Sequence, residues 1–364
     1  MAVHFVCMAQ HAKKIGVLTF HNCINYGSYW QARCLVEALR ARGHDAELLD
    51  HDCRCVRRAE AKCALQPKLP KRTPTRELPH YRLKTRKFID AIASLPRSRR
   101  FSLHEPQSAG EYDAIVVGSD EVWNFRHPWY GSKPIFFGDG LRTERLISYA
   151  ASFGNHSAWD GIDPAWADKL QRFSAVAVRD ENSRHLVRGG TGRKAELAAD
   201  PCLLYPSAAI VPAEADVPPF AVVYGHDFPS WLKSLARQWA RAAGVRLVSI
   251  GYSNDFADEQ RIAEGPVEFA KLMGGARAVI TNFFHGCVFA LLHGKPWAAA
   301  PSDYRAIKIP DLATVTGTRH HLVDTQTTDR AFTELLDSPI GGAVATRVAE
   351  LRQRSEDYLD AALS

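Results

Sequence analysis

Apolar residues along the chain fall into short runs that alternate with longer stretches of helical periodicity. "KKIGVLTF" (13–20) is a compact apolar run and predicts a strand. "GSYWQARCLVEALRARGH" (27–44) sets Trp30, Cys34, Leu35, Ala38 and Leu39 at helical spacing and stops at Gly43. "AELLD" (46–50) predicts the next strand. After a basic, Pro-rich interruption come "YDAIVVGSD", "RLISYAAS", a helix near 163–173, "AVAVRD", a helix near 181–188, and "AELAAD". The Pro-rich "YPSAAIVPAEADVPP" (205–219) predicts a linker, and a second round then begins. It runs strand "FAVVYG", helix "SWLKSLARQWARAAG", strand "VRLVSIG", helix "PVEFAKLMGGA", strand "RAVITN", helix "GCVFALLHG" and strand "PWAAAP". "ATRVAELRQRSEDYLDAAL" closes the chain as an amphipathic helix.

This alternation implies α/β architecture, with parallel sheets covered by helices on both faces. The expected assembly is two Rossmann-like domains facing a cleft. The first covers 13–205 and carries an excursion at 54–100. The second covers 219–340. The terminal helix, 343–364, is placed to pack back on the first domain. The halves share only the order of their elements, with no short-period repeat.

A length of 364 residues favours two domains over one. No run reaches the ~18 apolar residues that a membrane span needs. "MAVHFVCMAQHAKK" lacks a charged start followed by an apolar block, so it reads as a lead-in to the first strand rather than a secretory signal. The expected location is cytoplasmic, with the eight cysteines as reduced thiols. Charge is unevenly spread. Residues 54–100 hold 15 Lys/Arg against 3 Asp/Glu, whereas the remainder holds 31 against 37 and is acidic. Within that segment "PKLPKRTPTRELPHYRLKTRK" predicts an irregular path into a basic helix over about Tyr81–Leu95. Two readings stay open: a solvated face beside an acidic body, or a contact with an anionic surface. Nucleic acid is not expected as a partner.

Open α/β sheets collect chemistry where strands end and helices begin. Four polar stretches occupy such places: "FHNCINYGS" (20–28), "GSDEVWN" (118–124), "ASFGN" (151–155) and "NFFHG" (282–286). Gly27 and Ser28 open a helix whose N-terminal N–H groups and positive dipole end suit an anion. Taken singly, Asp120 reads as a helix cap, His285 as a core histidine and Gly286 as a packing glycine. Four such loops over two domains point to an active site in the cleft. His51, Cys53, Cys55 and Cys63 lie within 13 residues, but not as the paired ligands tetrahedral zinc prefers, so no metal is expected. Cys287 adjoins the His285–Gly286 pair and reads as a small buried hydrophobe rather than a nucleophile.

In chain order, "GVLTFHNCINYGSYWQARCLVEAL", "VVGSDEVWN", "SYAASFG", "AVRDENS", "ADPCLL" and "ITNFFHGCVFALLHGKP" closely resemble the polysaccharide pyruvyl transferase family over about residues 14–310. The resemblance implies a GT-B-like architecture. It also implies transfer of pyruvyl from phosphoenolpyruvate to two hydroxyls of a sugar, giving a cyclic ketal and phosphate. The partners implied are phosphoenolpyruvate as co-substrate and a sugar acceptor, free or linked to a lipid or nucleotide; no other cofactor is implied. The family's donor-site arginine corresponds to Arg179, and its loop histidine to His285. Many members carry an arginine two positions before that histidine; here the position is Phe283. Arg179, Arg305 and Lys308 would then supply more of the positive charge.

Ketal formation needs a proton on the donor's methylene carbon, a base for the attacking hydroxyl, and departure of phosphate. His285 is the expected acid, protonating the methylene or assisting phosphate departure, since imidazole titrates near neutrality. Arg179 is the expected grip on carboxylate or phosphate. Asp120 is the expected base. Asn25, Gly27, Ser28, Ser119, Trp123, Asn124, Ser152, Asn282 and Gly286 are the expected substrate-binding neighbours, with Trp123 reading equally as a stack for a sugar ring or as a half-buried aromatic at a domain edge. A different acceptor (peptide, amino acid or small metabolite) and a catalytically silent binding protein are the alternatives.

Overall fold

The computed structural model describes residues 12–67, 72–212, 217–302 and 306–364. The lead-in assigned to the first eleven residues lies outside them, as does Arg305.

The first half runs β1 (Lys14–Leu18), α1 (Tyr26–Ala41), β2 (Asp45–Leu48), β3 (His51–Asp52), α2 (Arg54–Leu65), α3 (Leu78–Ala93), β4 (Phe101–Ser102), β5 (Glu111–Val117) and β6 (Arg142–Ala151). It continues with α4 (Pro164–Gln171), β7 (Ala175–Val178), α5 (Glu181–Thr191), β8 (Glu196–Leu197), α6 (Pro201–Leu204) and α7 (Pro206–Ala209). The second half runs β9 (Phe220–Tyr224), α8 (Ser230–Ala243), β10 (Arg246–Ile250), β11 (Glu259–Arg261), α9 (Pro266–Gly275), β12 (Ala278–Thr281), α10 (Phe284–Leu292) and β13 (Trp297–Ala299). Helices α11 (Lys308–Thr316), α12 (Asp329–Asp337) and α13 (Gly342–Leu363) follow.

Two large parallel sheets result, ordered β2-β1-β5-β6-β7-β8 and β11-β10-β9-β12-β13, beside a small parallel pair, β3-β4. Their central strands are covered on both faces, which is why "AIVV" of β5, "FAVVY" of β9 and "AVIT" of β12 are continuous apolar runs instead of alternating ones. In each sheet the first strand is flanked by its successor on one side and a later strand on the other. The strand order therefore reverses between β1 and β5, and again between β9 and β12. Loops leaving such neighbours diverge and open a crevice.

Helix α1 sits between the sheets, with Tyr29, Trp30, Leu35 and Leu39 in one apolar cluster with Phe269, Val288 and Phe289 of the second half. Tyr26 donates its hydroxyl to Glu264 O (2.6 Å), and the Trp30 indole N–H bonds to Pro266 O (3.1 Å). Helix α13 returns to the first sheet: Tyr358 donates to Ser148 O (2.7 Å) and Ser355 Oγ accepts from Ala199 N (2.8 Å).

Two sequence expectations are corrected. The excursion is not irregular at its start. Residues 54–65 form α2, which packs on α3, and α3 itself begins at Leu78 and ends at Ala93. Only Val56 of α2 is buried, so the apolar periodicity is too sparse to reveal the helix. His285 is not in a turn between strand and helix; it lies in the first turn of α10.

Candidate functional site

Loops from both reversal points meet in a cavity of about 240 Å³. Asn25 and Ser28 come from the start of α1, Asp120 and Glu121 from the end of β5, and Arg179 from the end of β7. His226 follows β9, His285 opens α10, and Lys308 opens α11.

The first turns of α1 and α10 touch here, through Gly27 and His285. Asn25 caps α1 by accepting from Ser28 N (3.2 Å). The imidazole of His285 lies flat against the Gly27 backbone, so that a Cβ at Gly27 would sit 1.9 Å from Nδ1. Glycine is required there by close approach. Gly27→Ala should therefore push His285 out of place and lower activity, although alanine is the better helix former by about 0.8–1 kcal/mol. Circular dichroism should show an intact fold, and an assay the loss.

His285 and Arg179 converge on one buried carboxylate. Asp200 Oδ2 lies 3.3 Å from His285 Nε2 and 3.3 Å from Arg179 Nη1. The histidine is at ion-pair distance, but at an angle that leaves Nε2 without a hydrogen bond. Arg179 also approaches Asp120 (3.6 Å) and lies over the Phe284 ring (4.3 Å), with Nε unpartnered. Burial would raise the Asp200 carboxyl, but His285 and Arg179 hold it well below the usual carboxylate range. Asp200 belongs to the "ADPCLL" motif and is not among the residues expected at the site. Its Oδ1 accepts from Cys202 N (3.0 Å), which fixes the carboxylate as the cap of α6.

Asp120 adopts φ +75°, a left-handed conformation aspartate tolerates better than most residues. Its Oδ2 accepts from Ser28 Oγ (2.9 Å) and its Oδ1 from Glu121 N (2.9 Å). Lys308 pairs with Glu121. Burial would raise the Glu121 carboxyl, but the Lys308 ammonium brings it down to about 2.

Asn25, Gly27, Ser28, Asp120, Arg179, His285 and Lys308 are thus brought together. The other candidates are not. Trp123 is a correction: it is 1% exposed, donates its indole N–H to Phe136 O (2.8 Å) and packs among Phe137, Phe153 and Phe173, so no face is open for a sugar. Asn124 is buried behind Glu121, donating to its Oε2 (2.8 Å). Ser119 is buried and donates to Ala150 O (3.0 Å), and buried Ser152 donates to Asp180 Oδ2 (2.6 Å). Asn282 ties the β12 end to the β9 loop through His226 O (2.7 Å). A Cβ at Gly286 would strike Thr281 Oγ1 at 2.2 Å, so that glycine lets α10 pack on its own strand. These six support the loops rather than face the cavity.

Phe283 and residues not anticipated as substrate-binding line the other walls. Phe283 sits in an aromatic group with Tyr224, His226 and Tyr252, at ring separations of 4.9, 5.3 and 5.5 Å. The excursion supplies Glu60, Cys63 and Lys84. Lys84 is buried, donates to Gly251 O (3.0 Å), and burial pushes its ammonium down to about 7. The four possible ligands of the 51–63 stretch diverge: His51 turns Nε2 to Thr19 O (2.9 Å), the Cys53 and Cys55 sulfurs face each other (2.7 Å), and Cys63 faces the cavity. Cys287 is buried in α10, and burial pushes its thiol up. Among the described residues, no helix is long and apolar enough to cross a membrane.

Comparison with known proteins adds the family and the fold. The family model for polysaccharide pyruvyl transferase matches residues 25–304. No curated protein matches the sequence. A solved UDP-N-acetylglucosamine 2-epimerase is similar in fold, with a TM-score of 0.53 at 11% identity, covering 96% of this chain and 95% of its own. The S. aureus MnaA–UDP structure is similar with a TM-score of 0.51 at 11% identity, covering 95% and 96%. The two-domain, GT-B-like fold expected from the sequence is therefore the observed one.

Proposed function

Because the chain belongs to the polysaccharide pyruvyl transferase family and is thereby a transferase of pyruvyl groups, we propose that it takes pyruvyl from phosphoenolpyruvate and places it on two hydroxyls of a sugar, closing a ketal. The reading is carried by one observation: His285 and Arg179, from different domains, share the Asp200 carboxylate at the edge of the cavity. A cavity of about 240 Å³ matches a small donor plus part of one sugar ring.

In this reading the donor's phosphate and carboxylate lie against Arg179 and the adjoining N-termini of α1 and α10, whose dipoles favour anions. Arg179 offers a guanidinium fork already held by Asp200. His285 delivers a proton to the methylene carbon, which becomes the ketal methyl group. One acceptor oxygen then bonds to the neighbouring carbon, Asp120 accepting its proton. Phosphate leaves as the second oxygen bonds. Of the two protons the diol gives up, one balances that placed on carbon and the other departs with phosphate. The balance calls for no redox cofactor.

The test is incubation with phosphoenolpyruvate and a panel of free, nucleotide-linked and lipid-linked glycosides. Phosphate release is expected only with an acceptor present. The product should gain the mass of pyruvic acid less one water. Absence of phosphate release across the panel overturns the donor assignment, and a different mass gain overturns the ketal.

A further inference from the structure

The helices of the basic excursion form part of the cavity wall, and Glu60 of α2 lines two spaces at once. It lines the main cavity, and it also lines a second space of about 330 Å³ between α2 and α3, with Ile24 common to both. That second space has an apolar floor of Val56, Ile89 and Ile92. Glu60 is anchored but not used up. Oε1 accepts the N–H of Ile24 (2.6 Å), while Oε2 is buried with no hydrogen-bond partner. An unpaired buried carboxylate oxygen is costly unless something fills it. Ring closure must remove a proton from each of two hydroxyls, and Asp120, which lines the same cavity, already accepts from Ser28 and Glu121.

We propose that Glu60 is a second proton acceptor of the reaction, taking the proton of one acceptor hydroxyl as that oxygen bonds to the ketal carbon. The carbon–oxygen bond to phosphate breaks in the same sequence, and Glu60 returns its proton to the departing phosphate. The acceptor then lies with its diol at Glu60 and its remaining part toward the second space. This rests on the pyruvyl-donor reading above.

Burial pushes the Glu60 carboxyl up to about 7, although the Ile24 N–H and the Lys84 ammonium oppose it. A base poised there works best near neutral pH. The groups facing it are Lys84 on α3, Cys63 on its own helix, Cys23 after β1 and Tyr130 after β5. Across the second space, Arg57 pairs with Asp52, and Arg97 and Arg100 pair with Asp50. Lys84 titrates in the same range with the opposite effect, losing charge as pH rises, so the two are separable by the direction of a pH limb.

Glu60→Gln keeps an acceptor for Ile24 N–H and removes the proton-accepting function. Its kcat should fall about 10²-fold or more, with KM for phosphoenolpyruvate unchanged. The limb of kcat that rises through about pH 7 should vanish. Glu60→Ala should be partly rescued by formate. A thermal-melt control guards against misfolding. A carboxyl raised by folding favours the protonated protein, so its stabilising effect is lost as pH rises through about 7. Glu60→Gln should therefore melt higher than the parent protein at pH 8. A Glu60→Gln protein with parental kcat, or with the rising limb intact, overturns the assignment. A parent protein that releases no phosphate overturns the donor reading and this assignment together.

Discussion

His285→Gln is expected to lower turnover by about 10²–10⁴-fold, the usual loss when a positioned acid is removed, with a smaller drop in melting temperature than Asp200→Asn, because Arg179 still faces the Asp200 carboxylate. Glutamine can lie against Gly27 and keeps a polar tip near Asp200, but it cannot deliver a proton. The structure makes this separation sharp. Apart from its contact with Asp200, the His285 ring is held by packing: Gly27 on one side and Phe284 at 5.2 Å. Its contact with Asp200 is shared with Arg179, which remains on that carboxylate when the imidazole is lost. A merely structural histidine would show the reverse pattern, with a lowered melting temperature and intact turnover per folded molecule. Phosphate release under saturating phosphoenolpyruvate and acceptor, beside a calorimetric scan, distinguishes the two. Near-parental turnover in a folded His285→Gln protein would remove His285 from the chemistry.

The fold was legible because its strands are buried on both faces. Apolar runs such as "AIVV" and "FAVVY" stand out where no polar alternation dilutes them, and βαβ order then restricts topology. The excursion was less legible for the opposite reason. Helix α2 buries one residue, and its remaining contacts are polar or at the edge of cavities, so neither periodicity nor charge marked Glu60 as different from its neighbours. At the strand ends, proximity in sequence was a coarse guide. Residues 119, 120, 121, 123 and 124 share one loop, yet only Asp120 and Glu121 line the cavity. The left-handed turn at Asp120 sends successive side chains to different sides, and a string of residue types carries no sign of that. Trp123 was drawn to a sugar by chemical type, whereas its indole N–H found a carbonyl in the interior. Asp200 was hidden in a motif that reads as a helix cap, which it is. Its second role depends on Arg179 and His285 arriving from elsewhere in the chain.

Asp200→Asn should combine the largest loss of activity with the largest loss of stability of any single substitution at the site. The carboxylate is fully buried and faces two basic groups through one oxygen. Asparagine preserves the shape and the acceptor for Cys202 N–H, but it leaves the Arg179 guanidinium beside His285 with its nearest counter-charge gone. Breaking a buried ion pair from one side typically costs about 3–5 kcal/mol, because the remaining charge is stranded in a poor solvent. Asp120, at 3.6 Å from Arg179, softens that loss and does not replace it. The pH dependence has a definite sign. A carboxylate held low by its neighbours stabilises the fold above its unfolded value near 4, and that contribution disappears as pH falls. The gap in melting temperature between parent and Asp200→Asn should therefore be full at pH 7 and shrink on acidification below about pH 4. In the assay, KM for phosphoenolpyruvate should rise and kcat should fall together, since the arginine grip and the histidine are both released from one anchor. A rise in KM alone would mean that Asp200 orients Arg179 and has no hold on His285. Unchanged kinetics in a folded protein would break the link between this carboxylate and the chemistry.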